Sequence, residues 1–152
     1  MNEIKFKVRP GGELPQYNTI TGQLLVKAID IKSIFSGNNQ TKGTEEFNIK
    51  AGFKRSGYIK LRANERIVFD TRLSIKVPPT LEVQTEILSD LAINKGLVLI
   101  PSIFSGNEFQ DIYVILSNTT NSLPKIKKGD NIACLVRRAF ENIPPMKVIG
   151  LE

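Results

Sequence analysis

The sequence predicts an all-β protein, a barrel or jelly roll built as one domain. Short runs in which apolar and polar residues alternate recur along most of the chain, and a period of two is typical of half-buried strands. Turn residues separate these runs roughly every eight to twelve residues, and no long stretch has a convincing helical period. The 152 residues suffice for a single core, so we expect one domain over residues 1–152.

The predicted strands of the first half are separated by one polar segment. Residues 33–46 are rich in Ser, Gly, Asn and Thr, a composition typical of an exposed loop. Pro and Gly residues end the first strand with strong turn chemistry. The strands predicted from alternation or apolar runs cover residues 4–9, 24–31, 47–51, 58–62 and 67–77.

The second half is organised around residues 96–118. Two apolar runs, residues 97–100 and 112–116, bracket a polar loop that begins at Pro101. A loop held between two buried strands is where a rigid scaffold presents functional groups. Residues 81–88 and 131–136 predict further strands, and residues 90–95 predict the only helical turn.

The composition removes most kinds of catalytic site. The chain has no histidine and one cysteine, Cys134, which excludes Ser-His and Cys-His nucleophiles and nearly every zinc or redox-metal site. We therefore expect no resident cofactor or metal, and any hydrolytic chemistry would rest on carboxylates, with magnesium as the available ion.

The net charge of +6 is spread over three groups of basic residues, near residues 5–9, 54–62 and 125–138. We favour a solvated surface, because aromatic residues do not interleave with these groups as in a single-strand binder. Phosphates, nucleic acid or an acidic protein are the other partners that such groups suit. No apolar run approaches the ~20 residues that cross a bilayer, and the first residues lack the apolar core of a signal peptide. We expect synthesis in a cytoplasm.

One hexapeptide, Ser-Ile-Phe-Ser-Gly-Asn, occurs at residues 33–38 and again at 102–107. The spacing fits no repeat architecture, so chance is one interpretation. The other is that both loops present an apolar tip to a partner or a neighbouring subunit. The candidate contact residues are Ile34, Phe35, Ile103 and Phe104.

The order of motifs resembles a known family. The chain has a first strand followed by Leu-Pro-Gln-Tyr at residues 14–17, a Phe-Asp-Thr strand that ends at Pro78, and Gly-Asp-Asn-Ile-Ala-Cys-Leu-Val at residues 129–136. These blocks are similar to those of the trimeric dUTPases and their relatives, the dCTP deaminases. The resemblance covers most of the chain except an insertion at about 32–56, and it implies a distorted jelly-roll barrel assembled as a homotrimer.

The resemblance also assigns positions for the nucleotide. In the family, an Arg-Ser-Gly-Leu-Ala segment binds the phosphates of a nucleotide on the neighbouring subunit, and here it aligns with Leu88, Ser89 and Asp90. Leu88 lacks the cation that would hold a triphosphate. Asp90 replaces a glycine and would repel phosphate oxygens.

The polar loop of residues 101–111 aligns with the family loop that supplies the water-activating aspartate and a tyrosine that stacks on the sugar. These positions hold Ser105 and Glu108. Serine is no base at neutral pH without a partner that takes its proton. Asp111 is the acid kept at the end of the loop, and we expect it to cap the loop before the next strand.

Four further family features differ. The early Ala-Gly-x-Asp-Leu motif falls near residues 21–25, where Leu24 stands in place of an acid, and the polar glutamine of the fourth motif is Cys134. The glycine-rich C-terminal arm is missing before Glu152, and the catalytic glutamate of the deaminases would fall on Ile115.

These substitutions predict a dUTPase scaffold without dUTPase activity. We expect a non-enzymatic homotrimer that acts as a structural or interaction module, a decoration or accessory protein of a viral or phage particle. Two alternatives stay open: a regulatory or decoy protein that binds a host protein, and a divergent nucleotide hydrolase or nucleotide-binding protein.

Overall fold

Strands make up most of this computed structural model, which describes residues 3–20 and 23–139. The prediction of an all-β fold is confirmed. The helices of the described residues are α1 (Gly43–Ser56) and α2 (Ser89–Ile93). The strands are β1 (Lys5–Val8), β2 (Gln16–Asn18), β3 (Gln23–Lys27), β4 (Asp30–Ser36), β5 (Asn39–Gln40), β6 (Tyr58–Lys60), β7 (Glu65–Lys76), β8 (Leu81–Glu86), β9 (Leu97–Ile100), β10 (Ile103–Phe104), β11 (Phe109–Asn118), β12 (Lys125–Lys127) and β13 (Asn131–Ala139).

The described strands form two main antiparallel sheets and a two-stranded ribbon. The first sheet has the order β5-β4-β7-β11-β9, with β1 also paired to β7. The second has the order β10-β8-β13-β3-β2, and the ribbon joins β12 to β6. Buried side chains from both sheets form one continuous core.

β7 is the central strand of the first sheet. β11 pairs along one of its edges, while β4 and β1 share the other, β4 from Glu65 to Asp70 and β1 from Leu73 to Lys76. Between them, Arg72 has a left-handed backbone with φ of 57°, a conformation that costs energy in a residue other than glycine. Arg72 therefore marks the point where the partner of β7 changes, and β7 includes most of the strand predicted at residues 67–77.

The core is rich in aliphatic side chains, as alternation in the strands predicts. Each fully buried Leu, Ile or Phe contributes about 1.5–3 kcal/mol relative to an exposed one. The Phe53 ring of α1 packs on the Phe69 ring of β7 at a centroid distance of 6.2 Å. Other large side chains that are fully buried are Ile34, Leu61, Ile67, Leu73, Ile75, Leu97, Ile112, Leu116, Ile126 and Ile132.

The helix α1 corrects two predictions from the sequence. The segment predicted as a loop at residues 33–46 completes β4, forms β5 and begins α1, and the strand predicted at residues 47–51 lies inside α1. Alternation of Phe47, Asn48 and Ile49 misled the prediction, because Phe47 is exposed. The predicted insertion at about 32–56 contains α1. Neither helix of the described residues is long and apolar enough to span a membrane.

Local chemistry explains why α1 forms. Acidic residues occupy its first turn and basic residues its last turn, which complements the helix dipole. Glu46 and Lys50 form an ion pair of 2.6 Å one turn apart. Gly57 ends the helix with φ of 77°, the left-handed conformation of a common C-terminal cap. Burial of Phe53 against the sheet then fixes the helix in place.

Candidate functional site

Two of the residues that the resemblance assigned to the nucleotide lie on neighbouring strands of the second sheet. On β13, Cys134 pairs with Leu25, and the next residue pairs with Leu24 on β3. Cys134 also pairs with Glu86, the last residue of β8. The chain then continues through Leu88 into α2, so Leu24, Cys134 and Leu88 share one end of this sheet.

The segment from Leu88 to Asp90 opens the short helix α2. Leu88 is partly buried, and its carbonyl accepts hydrogen bonds from the backbone N–H groups of Leu91 and Ala92. Ser89 and Asp90 are exposed. The Asp90 carboxylate accepts a hydrogen bond of 2.6 Å from the Asn94 amide. Ser89 therefore presents an exposed hydroxyl at this end of the second sheet, and Asp90 adds negative charge beside it.

Ser105 and Glu108 lie in the exposed turn between β10 and β11. Gly106 and Asn107 have left-handed backbones with φ of 97° and 60°. The turn is anchored at both sides, because the Asn107 N–H donates to the Val77 carbonyl at 2.9 Å and the Gln110 amide donates to the Ser105 carbonyl at 2.8 Å. It is a defined turn that presents one carboxylate.

Within one chain, the turn of Ser105 and Glu108 lies apart from the segment of Leu88 to Asp90. Phe104 pairs with Val83 on β8, and Leu88 lies five residues further along, which is about 17 Å at ~3.3 Å per residue. The turn of Ser105 and Glu108 is thus at the opposite end of β8 from Leu88 and α2. A site that uses both groups needs two copies of the chain.

A large cavity of about 980 Å³ lies beside Leu24 and Glu86, at the end of β8 that leads to Leu88. Its apolar wall includes Phe6, Leu24 and Leu135, and its polar lining includes Glu86 and Arg137. Apolar walls with a few converging polar groups are typical of small-molecule sites. Sequence reasoning missed it, because β1, β2, β3, β8 and β13 all contribute. The remaining lining residues are Glu3, Ile4, Tyr17, Gln23 and Val136.

A second feature that the sequence did not predict is a network of charges around Arg72, where the partner of β7 changes. Arg9, the residue that follows β1, donates two hydrogen bonds to Asp70, at 2.6 and 3.1 Å. These hydrogen bonds raise the pKa of the Arg9 guanidinium. Its buried Nε has no hydrogen-bond partner and lies 3.4 Å from an oxygen of Asp111. The network ties β1 to β7 and β11.

Two other carboxylates of this network are held ionised. Burial disfavours the charged form of Asp30, but hydrogen bonds from Arg72 and from a backbone N–H outweigh it and lower the pKa of that carboxyl. The 2.6 Å hydrogen bond from Ser74 lowers the pKa of Asp111. Asp111 also accepts a 3.3 Å hydrogen bond from the Tyr113 hydroxyl. Its side chain therefore joins neighbouring strands, where the sequence suggested a loop cap.

Cys134 is buried, and its Sγ lies 3.7 Å from the Glu86 carbonyl. Burial raises the pKa of the Cys134 thiol, and the nearby Glu86 carboxylate adds to the effect. The thiol stays protonated at neutral pH and is no nucleophile. Among residues 3–20 and 23–139, no group of three or more Cys, Asp or Glu side chains is arranged to hold a metal ion.

The candidate contact residues of the repeated hexapeptide need correction. Ile34 and Phe104 are buried in the core, with 0% and 5% of their surface exposed. Phe35 is partly buried under Arg66, whose guanidinium lies 4.5 Å from the ring centroid. Ile103 alone of the four is well exposed, at 58%. Phe35 and Phe104 are therefore not a matched pair of exposed anchors in this chain.

Parts of the sequence-based assignment fall outside the described residues. Thr21 and Gly22, at the start of the motif near Leu24, belong to this group, as does everything after Ala139.

No protein-family model matches the chain. It is 27% identical over 129 residues to the deoxyuridine 5′-triphosphate nucleotidohydrolase of Fusobacterium nucleatum, covering 84% of this chain and 87% of that protein. It is 27% identical over 134 residues to the enzyme of the same name from Clostridium kluyveri, covering 86% and 89%.

Solved structures support the same fold. The dUTPase of Staphylococcus bacteriophage 80alpha with dUpNHpp superposes with a TM-score of 0.67 at 13% identity, covering 100% of this chain and 91% of that chain. A mutant dUTPase from phage phi11 of S. aureus gives a TM-score of 0.66 at 12% identity, covering 99% of both chains. The predicted dUTPase-like jelly-roll fold is confirmed.

These relatives overturn one prediction. Proteins that match most of the chain are named for dUTP hydrolysis, so the prediction of a non-enzymatic module is wrong. The suggested role in a viral particle has no support among them, since none of these relatives is named as a particle component.

Proposed function

We propose that this chain, which is dUTPase-like in sequence and in fold, hydrolyses dUTP or a closely related deoxynucleoside triphosphate. The observation that carries the proposal is the similarity to two dUTP nucleotidohydrolases, which extends over 84% and 86% of the chain. The alignments cover 129 and 134 residues, nearly the length of chain that the described strands span.

The proposed site lies between two copies of the chain. In one chain the turn of Ser105 and Glu108 follows Phe104, whose partner Val83 precedes Leu88 by five residues, about 17 Å at ~3.3 Å per residue. A neighbouring copy that places its turn against the α2 end would complete the site, as the trimeric arrangement of the dUTPases implies. We therefore propose self-association as a trimer. Light scattering should give three times the chain mass of 17.0 kDa, and a monomer would contradict this part.

Substrate binding in this proposal uses the large cavity beside Leu24. Its apolar wall suits the uncharged part of a nucleotide. Arg137 lines the same cavity on β13, opposite Val83 of β8, and supplies a guanidinium for phosphate. Asp90 opposes phosphate binding by charge repulsion. We expect weaker substrate binding than an arginine at position 88 would give.

Glu108 is the carboxylate that we assign to activation of the attacking water. It is exposed at the turn, so a neighbouring subunit can meet it without moving the core. A carboxylate within hydrogen-bond reach of the water takes its proton as the water oxygen bonds to a phosphorus of the triphosphate. The bond from that phosphorus to its bridging oxygen breaks, and the bridging oxygen leaves with the departing phosphate or pyrophosphate. Ser89 contributes a hydroxyl that hydrogen-bonds phosphate oxygens.

The direct test is hydrolysis of dUTP by the full chain with Mg²⁺, followed by phosphorus NMR, which distinguishes pyrophosphate from orthophosphate as the product. We expect turnover of dUTP, with dCTP and UTP as comparison substrates. Absence of any product above the buffer rate from folded, self-associated protein would overturn the proposal.

Variants test the assigned residues separately. Glu108→Gln should lower kcat by about 10²–10⁴-fold, the usual contribution of a general base, whereas Glu13→Gln, an equal charge change elsewhere, should leave kcat unchanged.

Arg137→Gln should raise KM about 10-fold or more, with Lys42→Gln as its matched control. Leu88→Arg should lower KM.

A further inference from the structure

A two-stranded ribbon beside α2 carries a row of basic side chains, and its Lys127 lines a small cleft with Asp90 and Asp130. β6 pairs with β12 so that Lys60 faces Lys125 and Tyr58 faces Lys127, with Ile59 and Ile126 between them. Ile126 is fully buried and Ile59 partly so. Because strand side chains alternate between faces, Tyr58 and the three lysines lie on the outer face.

This arrangement is unfavourable for stability alone. Lys60 and Lys125 are directly opposite each other on antiparallel strands, and like charges in such pairs are destabilising. Lys125 places its ammonium 4.1 Å from the centroid of the Tyr58 ring, which is 38% exposed. The cation–π contact offsets part of the repulsion. A ligand that carries negative charge would offset the remaining repulsion between Lys60 and Lys125.

The ribbon and its flanks account for most of the excess charge of the protein. Arg55 at the end of α1 and Lys128 after β12 extend the row, and both are exposed. None of Arg55, Lys60, Lys125, Lys127 and Lys128 belongs to an ion pair within the described residues. Taking these five from the 21 basic residues leaves 16 against 15 acidic ones, out of a net charge of +6.

The backbone under this row is firmly held. The Lys128 N–H donates to the Gly57 carbonyl at 2.8 Å, and the Leu61 N–H donates to the Pro124 carbonyl at 2.9 Å. Asn118, which is fully buried, donates its side-chain amide to the Leu61 carbonyl at 2.9 Å. A rigid base reduces the entropy that the lysines lose when they bind a partner.

The carboxylate of Asp130, the acidic residue that follows β12, forms a hydrogen bond with the backbone and no ion pair with these lysines. Its carboxylate accepts a 2.8 Å hydrogen bond from the Lys127 backbone N–H, so it shapes the turn below the row. The sequence placed Arg55 and Lys60 in one basic group and the lysines of β12 in another. The pairing of β6 with β12 joins the two groups on one face and puts an aromatic ring among them.

We propose that this face, the β6–β12 lysine surface, binds single-stranded nucleic acid through its phosphate backbone. Lysines without acidic partners neutralise phosphates without reading sequence. The exposed Tyr58 ring adds a surface on which a base stacks, which is the usual combination in single-strand binding. The proposal does not depend on dUTP hydrolysis.

The test is fluorescence anisotropy of a labelled single strand of about 20 nucleotides, longer than one binding module usually covers. The full chain should bind it, and affinity should fall steeply between about 50 and 200 mM NaCl. Replacing Lys125 and Lys127 together by glutamine should weaken binding about 10-fold. It should also reduce the magnitude of the salt slope by about 1.4, since single strands give about 0.7 per phosphate contact.

The matched control replaces Lys5 and Lys7 of β1 by glutamine, which removes the same charge from another surface. We expect its affinity to stay within about twofold of the unchanged protein. Equal weakening by both double variants would show that net charge alone attracts the strand and would overturn the proposal. Absence of binding at low salt, or tighter binding to poly-glutamate or to phosphatidylserine vesicles, would also overturn it.

Tyr58→Leu tests the stacking contact without altering charge. It should weaken single-strand binding at least about fivefold, because stacking on one aromatic ring contributes this much or more. Binding to duplex DNA of the same length should change less than about twofold, since paired bases do not stack on the ring. Equal losses for both substrates would contradict the role of Tyr58.

Discussion

Two segments of this protein have the same sequence and opposite orientations. Ser-Ile-Phe-Ser-Gly-Asn occupies residues 33–38 and 102–107. In β4, Ile34 is fully buried and Phe35 is only partly buried. In β10, by contrast, Ile103 is 58% exposed and Phe104 is buried. Both copies then reach a left-handed glycine, Gly37 and Gly106. In the second turn Asn107 is left-handed as well, and the two strands face opposite ways.

Strand pairing decides which residue enters the core. Ile34 lies opposite Ile67 of β7, and Phe104 lies opposite Val83 of β8. Consecutive residues of a strand point to opposite faces, so a shift of one residue in register exchanges the whole buried set. The hexapeptide therefore specifies a strand and a turn, and its neighbours specify the orientation. Alanine substitutions at the four apolar positions test this directly.

Phe104→Ala should have the largest effect on stability. Removal of a buried phenyl ring costs about 3–5 kcal/mol, because the surrounding side chains close the cavity only in part. Urea unfolding at a fixed protein concentration measures the loss. A change below 1 kcal/mol, a tolerance typical of surface positions, would show that Phe104 is not a core residue.

Ile34→Ala should cost about 2–5 kcal/mol, as expected for a fully buried aliphatic side chain between β4 and β7. The same urea titration applies, and the slope should stay constant if only the native state is affected. A wild-type midpoint in this variant would contradict the orientation of β4.

Phe35→Ala should cost about 1–2 kcal/mol, because the ring is half-buried and contacts the Arg66 guanidinium. Phe35→Leu keeps most of the apolar area and removes the ring, so it isolates the cation–π part. If Phe35→Ala destabilises as much as Phe104→Ala, the two copies do not differ in orientation.

Ile103→Ala should have the smallest effect, within about 0.5 kcal/mol, since exposed side chains contribute little. It is the same substitution as Ile34→Ala in the same hexapeptide, so the two variants control for each other. A loss comparable with that of Ile34→Ala would indicate that Ile103 is covered in the assembled protein, which light scattering of the variant would reveal.

Strands that alternate clearly were predictable from the sequence. Residues 81–88 lie largely in β8, where burial alternates, because a half-buried strand leaves a period of two in the sequence. Residues 131–136 lie in β13, where residues 132–135 form a continuous buried run instead. The helix α1 was missed because its own residues alternate like a strand. Its stability comes from Phe53 against Phe69, a contact that depends on packing rather than on local propensity.

The site was predictable only in part. Family motifs located Leu24, Leu88 and Cys134, and the sheet register brings these to one end. The charge network could not be predicted from the sequence, because Arg9 and its partner Asp70 are 61 residues apart. Nothing in the local sequence marks Arg72 as left-handed, since glycine or asparagine usually fills that conformation.

The burial of Cys134 has a practical consequence for spectroscopy. It is the single cysteine of the chain, and its thiol is buried with a raised pKa, so maleimide reagents will modify it slowly. A cysteine introduced on the surface, for example at Ser56, will then react first. Site-specific dyes or spin labels are accessible without first replacing Cys134, and the native core is retained in every labelled sample.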